Sequence, residues 1–342
     1  MRVMITGATG FIGSHIVRDL CKNNLEIGCV VRKSSKISNL ETLPVEILDA
    51  DIRDRSGIEN ALKGYDFVIH NAAFVHDWGK YDEFFNTNVE GTMNVFKACK
   101  KTGIKDIIMT GTCSIFGEEN CLKVKDEEYP LDSHYDYFLD KVFPCKMNYY
   151  RDTKTIAVKW AMQYAKENDI NLTILNPVWV FGEREFNTGF FEYVKTAKSG
   201  MPFMPGTKKN KFHTVYAKDL ARAYRLALEK RLEGVNSIII GNKEVNSMEK
   251  IYSLFCKEAG LKKPFNIPKA LAYPVGFMIE LLYTILNIKK TPFLTRGRVN
   301  MLYDNIEYST KKAEELLGFT NEFSLDQAIS ETIKWYKEMK LL

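Results

Sequence analysis

Paired cysteines are missing from this chain. Its seven cysteines, at positions 21, 29, 99, 113, 121, 145 and 256, are odd in number, and no Cys-x-x-Cys pair or Cys/His cluster occurs. That argues against a disulfide framework and a zinc site. It points to a reducing, cytoplasmic home in which these thiols serve as small buried apolar groups. A basic block or arm is missing too. The 48 basic and 43 acidic residues are spread along 342 positions for a net charge of +5, which argues against nucleic acid as a partner. A strand expected to start by Val3 leaves no room for a signal peptide. Internal repeats and low-complexity segments are absent. With 45% hydrophobic and 27% charged residues, the composition is that of a soluble globular protein, and the length suits one large α/β domain with a smaller annex.

What the chain does have is a rhythm. Strands are expected at Val3–Ile5, Ile27–Val31, Val45–Leu48, Phe67–Ile69, Asp106–Thr110 and Leu172–Leu175. Helices are expected between them at Gly13–Lys22, Ile58–Leu62, Glu83–Lys101 and Asp152–Asn168. Apolar strands alternating with helices imply a parallel sheet covered on both faces, the doubly wound α/β class. After Pro177 the rhythm loosens. Helices are expected near Thr188–Lys198 and Lys218–Lys230 and a strand at Asn236–Ile240. From Ser247 to Leu342 the pattern is mostly helical, with breaks at Pro264, Pro268, Pro274 and Pro292. These late segments read as an annex over the carboxyl ends of the strands, the edge at which open α/β sheets bind ligands.

Directly after Val3-Met4-Ile5 comes TGATGFIG, with Gly7, Gly10 and Gly13 spaced G-x-x-G-x-x-G. One glycine permits a tight turn, the next lets backbone approach a phosphate, and the last allows close helix–strand packing. The helix that follows then points free N–H groups and a partial positive charge at a pyrophosphate. At the end of the second strand stands Arg32, where an acidic residue would bond the ribose of NAD; an arginine suits the 2′-phosphate of NADP. Lys33 and Lys36 add positive charge, so NADP(H) is favoured, with NAD(H) as the alternative. Asp51 and Ile52 follow the third strand and are placed to flank an adenine. His70 reads as a packed strand-end histidine, and the small residues after it, Asn71, Ala72 and Ala73, let backbone run close to a cofactor.

Tyr150 and Lys154 stand four apart, which puts a phenol and an ammonium on one helix face. A free tyrosine has a pKa of about 10. A nearby ammonium favours the phenolate, so Tyr150 can pass a proton to or from a substrate oxygen. Tyr149 is a decoy, because Thr153 lies four residues beyond it. Thr112, just past the fifth strand in TGTCSIFG, is the expected third participant, orienting the substrate oxygen; Ser114 and Thr110 are alternatives, and Phe116-Gly117 closes that loop.

Taken in order, TGATGFIG, HNAA at 70–73, NTNVEGT at 86–92, TGTCSIFG, Tyr150-x-x-x-Lys154 and NPVWVFG at 176–182 resemble the successive motifs of the extended short-chain dehydrogenases/reductases over nearly the whole chain. The resemblance implies a Rossmann-type cofactor domain over 1–177, with 207–241 returning to it, and a mainly substrate-binding region over 178–342. It implies that Thr112 joins Tyr150 and Lys154 in catalysis and that Asn88 supports the site. It adds Thr9, Phe11, Ile12, Asn88, Thr110, Pro177 and Val180 to the cofactor contacts, and by analogy a homodimer through the long helices.

Three details resemble the 3β-hydroxysteroid dehydrogenase and dihydroflavonol-reductase branch: VRKSS after the second strand, AAFVHDWGKYDEFFNTNVEGT, and the tail from TPFLTRGRVNML to SLDQAISETIKWY. The nucleotide-sugar epimerase branch carries an arginine before its F-x-x-V segment and another in R-P-x-x-V-[YF]-G. This chain has lysine in the first region, at Lys211, and Asn176 in the second. The expected activity is an NADP(H)-preferring interconversion of a secondary alcohol and a ketone on an apolar, ring-based substrate. The rival readings are a nucleotide-sugar epimerase or dehydratase and a non-catalytic redox sensor. Finally, ALAYPVGFMIELLYTILNI at 270–288 is the most apolar segment, with Glu280 inside it and Lys289-Lys290 after it. It is read as a packed annex helix, with a lid or peripheral membrane contact as the sharper alternative and a spanning helix as the weakest.

Overall fold

The computed structural model of the chain describes residues 1–23, 25–117, 121–185, 189–206 and 209–342. Each apolar run expected in the first half becomes a strand: β1 (Arg2–Thr6), β2 (Glu26–Val31), β3 (Val45–Asp49), β4 (Phe67–His70), β5 (Asp106–Thr110) and β6 (Asn171–Pro177). Later come the short β7 (Trp179–Phe181), β8 (Phe203–Pro205), β9 (Lys211–Phe212) and β10 (Thr214–Tyr216), the longer β11 (Val235–Ile240), and the short β12 (Asn246–Ser247) and β13 (Phe265–Ile267). The helices are α1 (Phe11–Leu20), α2 (Arg55–Ala61), α3 (Tyr81–Phe84), α4 (Gly91–Thr102), α5 (Met147–Glu167) and α6 (Gly189–Lys198), then α7 (Ala217–Lys230), α8 (Met248–Ala259), α9 (Lys269–Ile285), α10 (Arg296–Tyr303), α11 (Lys311–Leu317) and α12 (Leu325–Glu338).

β1 to β6 and β11 form one seven-stranded parallel sheet in the order β11-β6-β5-β4-β1-β2-β3. β1, β4 and β5 are buried on both faces, which is why they read as unbroken apolar runs rather than alternating ones. From β1 the chain winds toward β2 and β3; from β4 it winds the other way, toward β5 and β6. Right-handed crossovers therefore put α1 on one face and α4 and α5 on the other. α7 packs beside α1, where Arg225 Nε donates to Asp19 Oδ2 at 3.0 Å. The reversal between β1 and β4 opens a crevice at their carboxyl ends.

Three helix expectations change. The stretch Glu83–Lys101 is not one helix but α3, a π-helical turn at Phe85–Glu90, and α4. The wide turn carries Asn88 and Val89 inward, and Gly91 sits where a Cβ would stand 2.6 Å from Ile52 Cδ1. The helix expected from Asp152 begins earlier, at Met147. Asp152 does not cap it; its carboxylate instead accepts from Ser133 Oγ at 3.1 Å and lies 2.8 Å from His134 Nδ1. Pro274 does not break the chain's helix but lies inside α9, near its start, where it removes one helical hydrogen bond without ending the helix. Of the helix expected at Thr188–Lys198, Thr188 lies outside the described residues, as do Thr207 and Lys208 of the returning segment. Among the described residues no helix is long and apolar enough to cross a membrane.

Candidate active site

A cavity of about 740 Å³ occupies the crevice. Its floor is the glycine-rich turn. Gly7 has φ +71°, and a Cβ there would stand 2.8 Å from the backbone of Ala72; at Gly13 a Cβ would stand 2.1 Å from Gly7 O. Gly10 is the N-cap of α1 and supplies no side chain to its first N–H groups, so the helix end is open to an anion. Gly7, Thr9, Gly10, Phe11 and Ile12 line the cavity. Gly13 does not; its part is the close contact between helix and strand.

The adenosine end divides the expected basic cluster. Arg32 lines the cavity, whereas Lys36 does not, and Lys33 turns to Asp49 at 3.5 Å. Asp51 and Ile52 line it as well. Asp51 grips Arg53, whose Nε and Nη2 donate to Oδ1 at 3.1 Å and Oδ2 at 2.6 Å. Those bonds hold the Asp51 carboxyl below its usual pKa, and Arg32 adds to the effect. Asn39 Nδ2 donates to Thr9 O at 3.2 Å and ties this rim to the glycine turn.

In the middle, Asn71, Ala72 and Ala73 line the cavity along the end of β4. Beneath them His70 is fully buried, with Nδ1 2.9 Å from Thr6 Oγ1 and Nε2 2.9 Å from Thr92 Oγ1. Burial lowers its pKa to about 3, so it is a neutral bridge between strands and a helix. Asn88 does not line the cavity. Its Oδ1 accepts from Phe74 N at 2.7 Å and its Nδ2 donates to Phe74 O and to Thr153 Oγ1, both at 3.2 Å. It thereby fastens the cavity-lining loop to α5.

α5 turns one face to the cavity: Met147, Tyr150, Arg151 and Lys154, at i, i+3, i+4 and i+7. Lys154 is buried, and its Nζ donates to Thr110 O at 2.7 Å. Burial lowers its pKa to about 8. Thr110 Oγ1 donates to Asn71 Oδ1 at 3.0 Å and lies 2.6 Å from Tyr224 OH. Thr112 lines the cavity and also serves its own turn, accepting from Ser114 N at 3.3 Å with Ser114 Oγ 2.9 Å away. Gly117, at φ +75°, ends that turn. Tyr149 points elsewhere, with its ring edge-on to Tyr81 and Phe84. Pro177 and Val180 complete the far wall.

Several cavity residues were not legible in the sequence: Arg53, Arg151, Trp179, Arg184, Glu185 and Met301. Arg151 could have been found from its place one helical turn beyond Met147; its Nη1 donates to Tyr137 OH at 3.1 Å. Tyr224 carries no local signal, since its bond to Thr110 spans more than a hundred positions. With Arg32, Arg53, Arg151, Lys154 and Arg184 against Asp51, Asp77 and Glu185, the lining has an excess of cations, as a dinucleotide's phosphates require. The glycine cradle, the open helix end and the small residues after β4 fit such a group.

The model of the NAD dependent epimerase/dehydratase family matches residues 3–241. A 2-alkyl-3-oxoalkanoate reductase of Stenotrophomonas maltophilia is 26% identical, covering 96% of this chain and 97% of its own. A decarboxylating sterol-4-alpha-carboxylate 3-dehydrogenase of Schizosaccharomyces pombe is 25% identical, covering 97% and 96%. Among solved structures, that of gox2253 superposes with a TM-score of 0.80 at 26% identity, over 98% of each chain.

Proposed function

The chain belongs to the NAD-dependent epimerase/dehydratase family, and from that premise we propose that it is an NADP(H)-preferring oxidoreductase interconverting a secondary alcohol and a ketone on an apolar, ring-based substrate. One observation carries the reading: the α5 face bearing Tyr150 and Lys154 lines the same cavity as the glycine-rich turn. The turn, Asn71–Ala73 and Lys154 would hold the dinucleotide, which when bound supplies the two-electron redox chemistry at the substrate carbon. Tyr150 handles the proton. In the oxidative direction it takes the alcohol proton as phenolate; in reverse it donates to the ketone oxygen. Lys154 lies one helical turn away, and its ammonium favours the phenolate. Its pKa of about 8 keeps it charged at neutral pH and lets that support fade as the medium turns alkaline. The hydroxyls of Thr112 and Ser114 orient the substrate oxygen.

Phe74, Val75, Met147, Trp179 and Met301 give the substrate end an apolar wall. The relatives named above are a reductase of a 3-oxoalkanoate and a dehydrogenase of a sterol carboxylate, which supports the alcohol–ketone reading. Two observations weigh against a nucleotide sugar. Lys211 lies outside the cavity lining, paired with Glu307 at 2.8 Å, and Asn176 is buried, donating to Ser237 Oγ at 2.8 Å. Arg32, at the adenosine end of the cavity, supports the 2′-phosphate of NADP.

A screen of steroids, flavonoids and nucleotide sugars for change in NADPH absorbance tests the activity. Tyr150→Phe should lower turnover by about 10²–10⁴-fold while NADPH still binds. Near-normal turnover in that variant would contradict the assignment. A co-purifying cofactor with no net redox turnover would favour the epimerase reading.

A further inference from the structure

α9 is built inside out. The residues it buries are Ala272, Gly276 and Glu280, spaced four apart. Gly276 lets the helix close on the start of α10: a Cβ there would stand 3.2 Å from Thr295 O. Glu280 is matched by a buried Arg296 on α10, whose Nε and Nη2 donate to its two oxygens at 3.0 Å and 2.9 Å. The same guanidinium donates to Phe138 O and, at 2.8 Å, to Phe143 O, so loop 138–143 is strapped to the helix. Phe277 meets the rings of both phenylalanines.

The outer face is the reverse. Leu271, Val275, Met278, Leu282, Ile285 and Leu286 form one stripe, each between 51% and 69% exposed. The strapped loop extends it with Phe138, Leu139 and Val142, the last 85% exposed. Isolated exposed apolar side chains need no explanation, but a continuous stripe along a whole helix does. From residue 270 to 288 the one charged side chain is Glu280, which is buried. At the edges, Lys141, Lys289 and Lys290 are exposed and, among the described residues, carry no ion pair. A charge-free apolar stripe with lysines at its margin is complementary to an anionic bilayer surface, with acyl chains under the stripe and headgroup phosphates at the lysines. At 17 residues, with a buried carboxylate, α9 is not long and apolar enough to cross a bilayer.

We propose that the outer face of α9, with loop 138–142, seats the protein on an anionic phospholipid surface. The seat adjoins the cavity. Trp78 Nε1 donates to Ile288 O at 3.0 Å, just past the end of α9, and the neighbouring Asp77, which lines the cavity, accepts from Arg298 Nε of α10 at 2.8 Å. On the reading of the cavity as a site for apolar substrates, such a molecule reaches it from the lipid phase at this rim.

Sedimentation of the full-length protein with phosphatidylcholine vesicles, with and without phosphatidylglycerol, tests the proposal. The protein should pellet with the mixed vesicles and much less with pure phosphatidylcholine. Leu282→Glu/Ile285→Glu should abolish pelleting while the thermal transition holds, since both positions are exposed. Lys289→Ser/Lys290→Ser should weaken it by about fivefold per lysine. Lys100→Ser/Lys105→Ser, the same charge loss at the amino-terminal edge of the sheet, should change nothing. The proposal is overturned if the wild type pellets with neither vesicle, or if the stripe variant pellets as well as the wild type. It is also overturned if sedimentation without lipid shows a self-associated species that the stripe variant turns into monomer, which would make this face a contact between copies. Pelleting needs no substrate, so its failure leaves the catalytic assignment untouched.

Discussion

α1 and α9 stand near opposite ends of the chain and bury opposite kinds of side chain. α1 turns Ile16, Val17 and Leu20 into the sheet and leaves its open amino end to the cavity. α9 turns a carboxylate inward and its leucines outward. Both have helical periodicity, and both pack through a glycine, Gly13 in one and Gly276 in the other. The difference lies in what each glycine admits: a strand turn under α1, and the end of a second helix under α9. A helix can therefore be fastened by a polar bolt as well as by an apolar face, and its apolar side chains are then available for other work.

The contrast can be broken at its bolt. Glu280→Gln or Arg296→Met should each cost about 3–5 kcal/mol in urea unfolding, because the remaining partner stays buried without its counter-charge. The combined variant should recover much of that loss; strict additivity would mean the pair is not the fastening.

A smaller effect tests the polar bridge under the cavity. His70 has a folded pKa of about 3 against an ordinary value of 6.5. Below pH 6.5 the unfolded chain therefore binds a proton that the folded chain does not. Stability is complete above that pH and is lost as pH falls toward 3, by about 2 kcal/mol at pH 5. His70→Asn should flatten this acid limb in unfolding titrations; an unchanged limb would place its origin elsewhere.

At the cavity rim, Arg32→Ala should raise the KM for NADPH about tenfold with little change for NADH, as loss of a charge-assisted phosphate bond would. Equal changes for both cofactors would reject the 2′-phosphate role. Smallest of all, Leu282→Ser on the outer face of α9 should shift stability by no more than about 0.5 kcal/mol. Set beside Glu280→Gln two residues away, it measures the inversion directly. A loss of several kcal/mol there would mean the stripe is covered within the fold.

The residues legible in the sequence share a feature: each acts through its near neighbours. The glycine turn is a backbone requirement written over eight positions, and Tyr150 and Lys154 share a face because they are four apart. Lys36 shows the limit. It belongs to the same basic run as Arg32, yet of that run only Arg32 lines the cavity, and the run itself does not say which side chains of the loop turn inward, as those of Ser35 and Asn39 do. Asn88, expected among the cofactor contacts, works one step back, through Phe74 and Thr153. Arg53 and Tyr224 were invisible because their relevance depends on elements that meet only in the folded sheet.

The amino-acid order by itself settled the alternation of strands and helices, the phosphate-sized turn and the tyrosine–lysine pair, since steric freedom and helical pitch act over a few residues. Tertiary structure alone decided which cations meet in the cavity, which asparagine braces its loop and which side of α9 faces inward. Periodicity says which side chains share a face; only packing says what lies across from it.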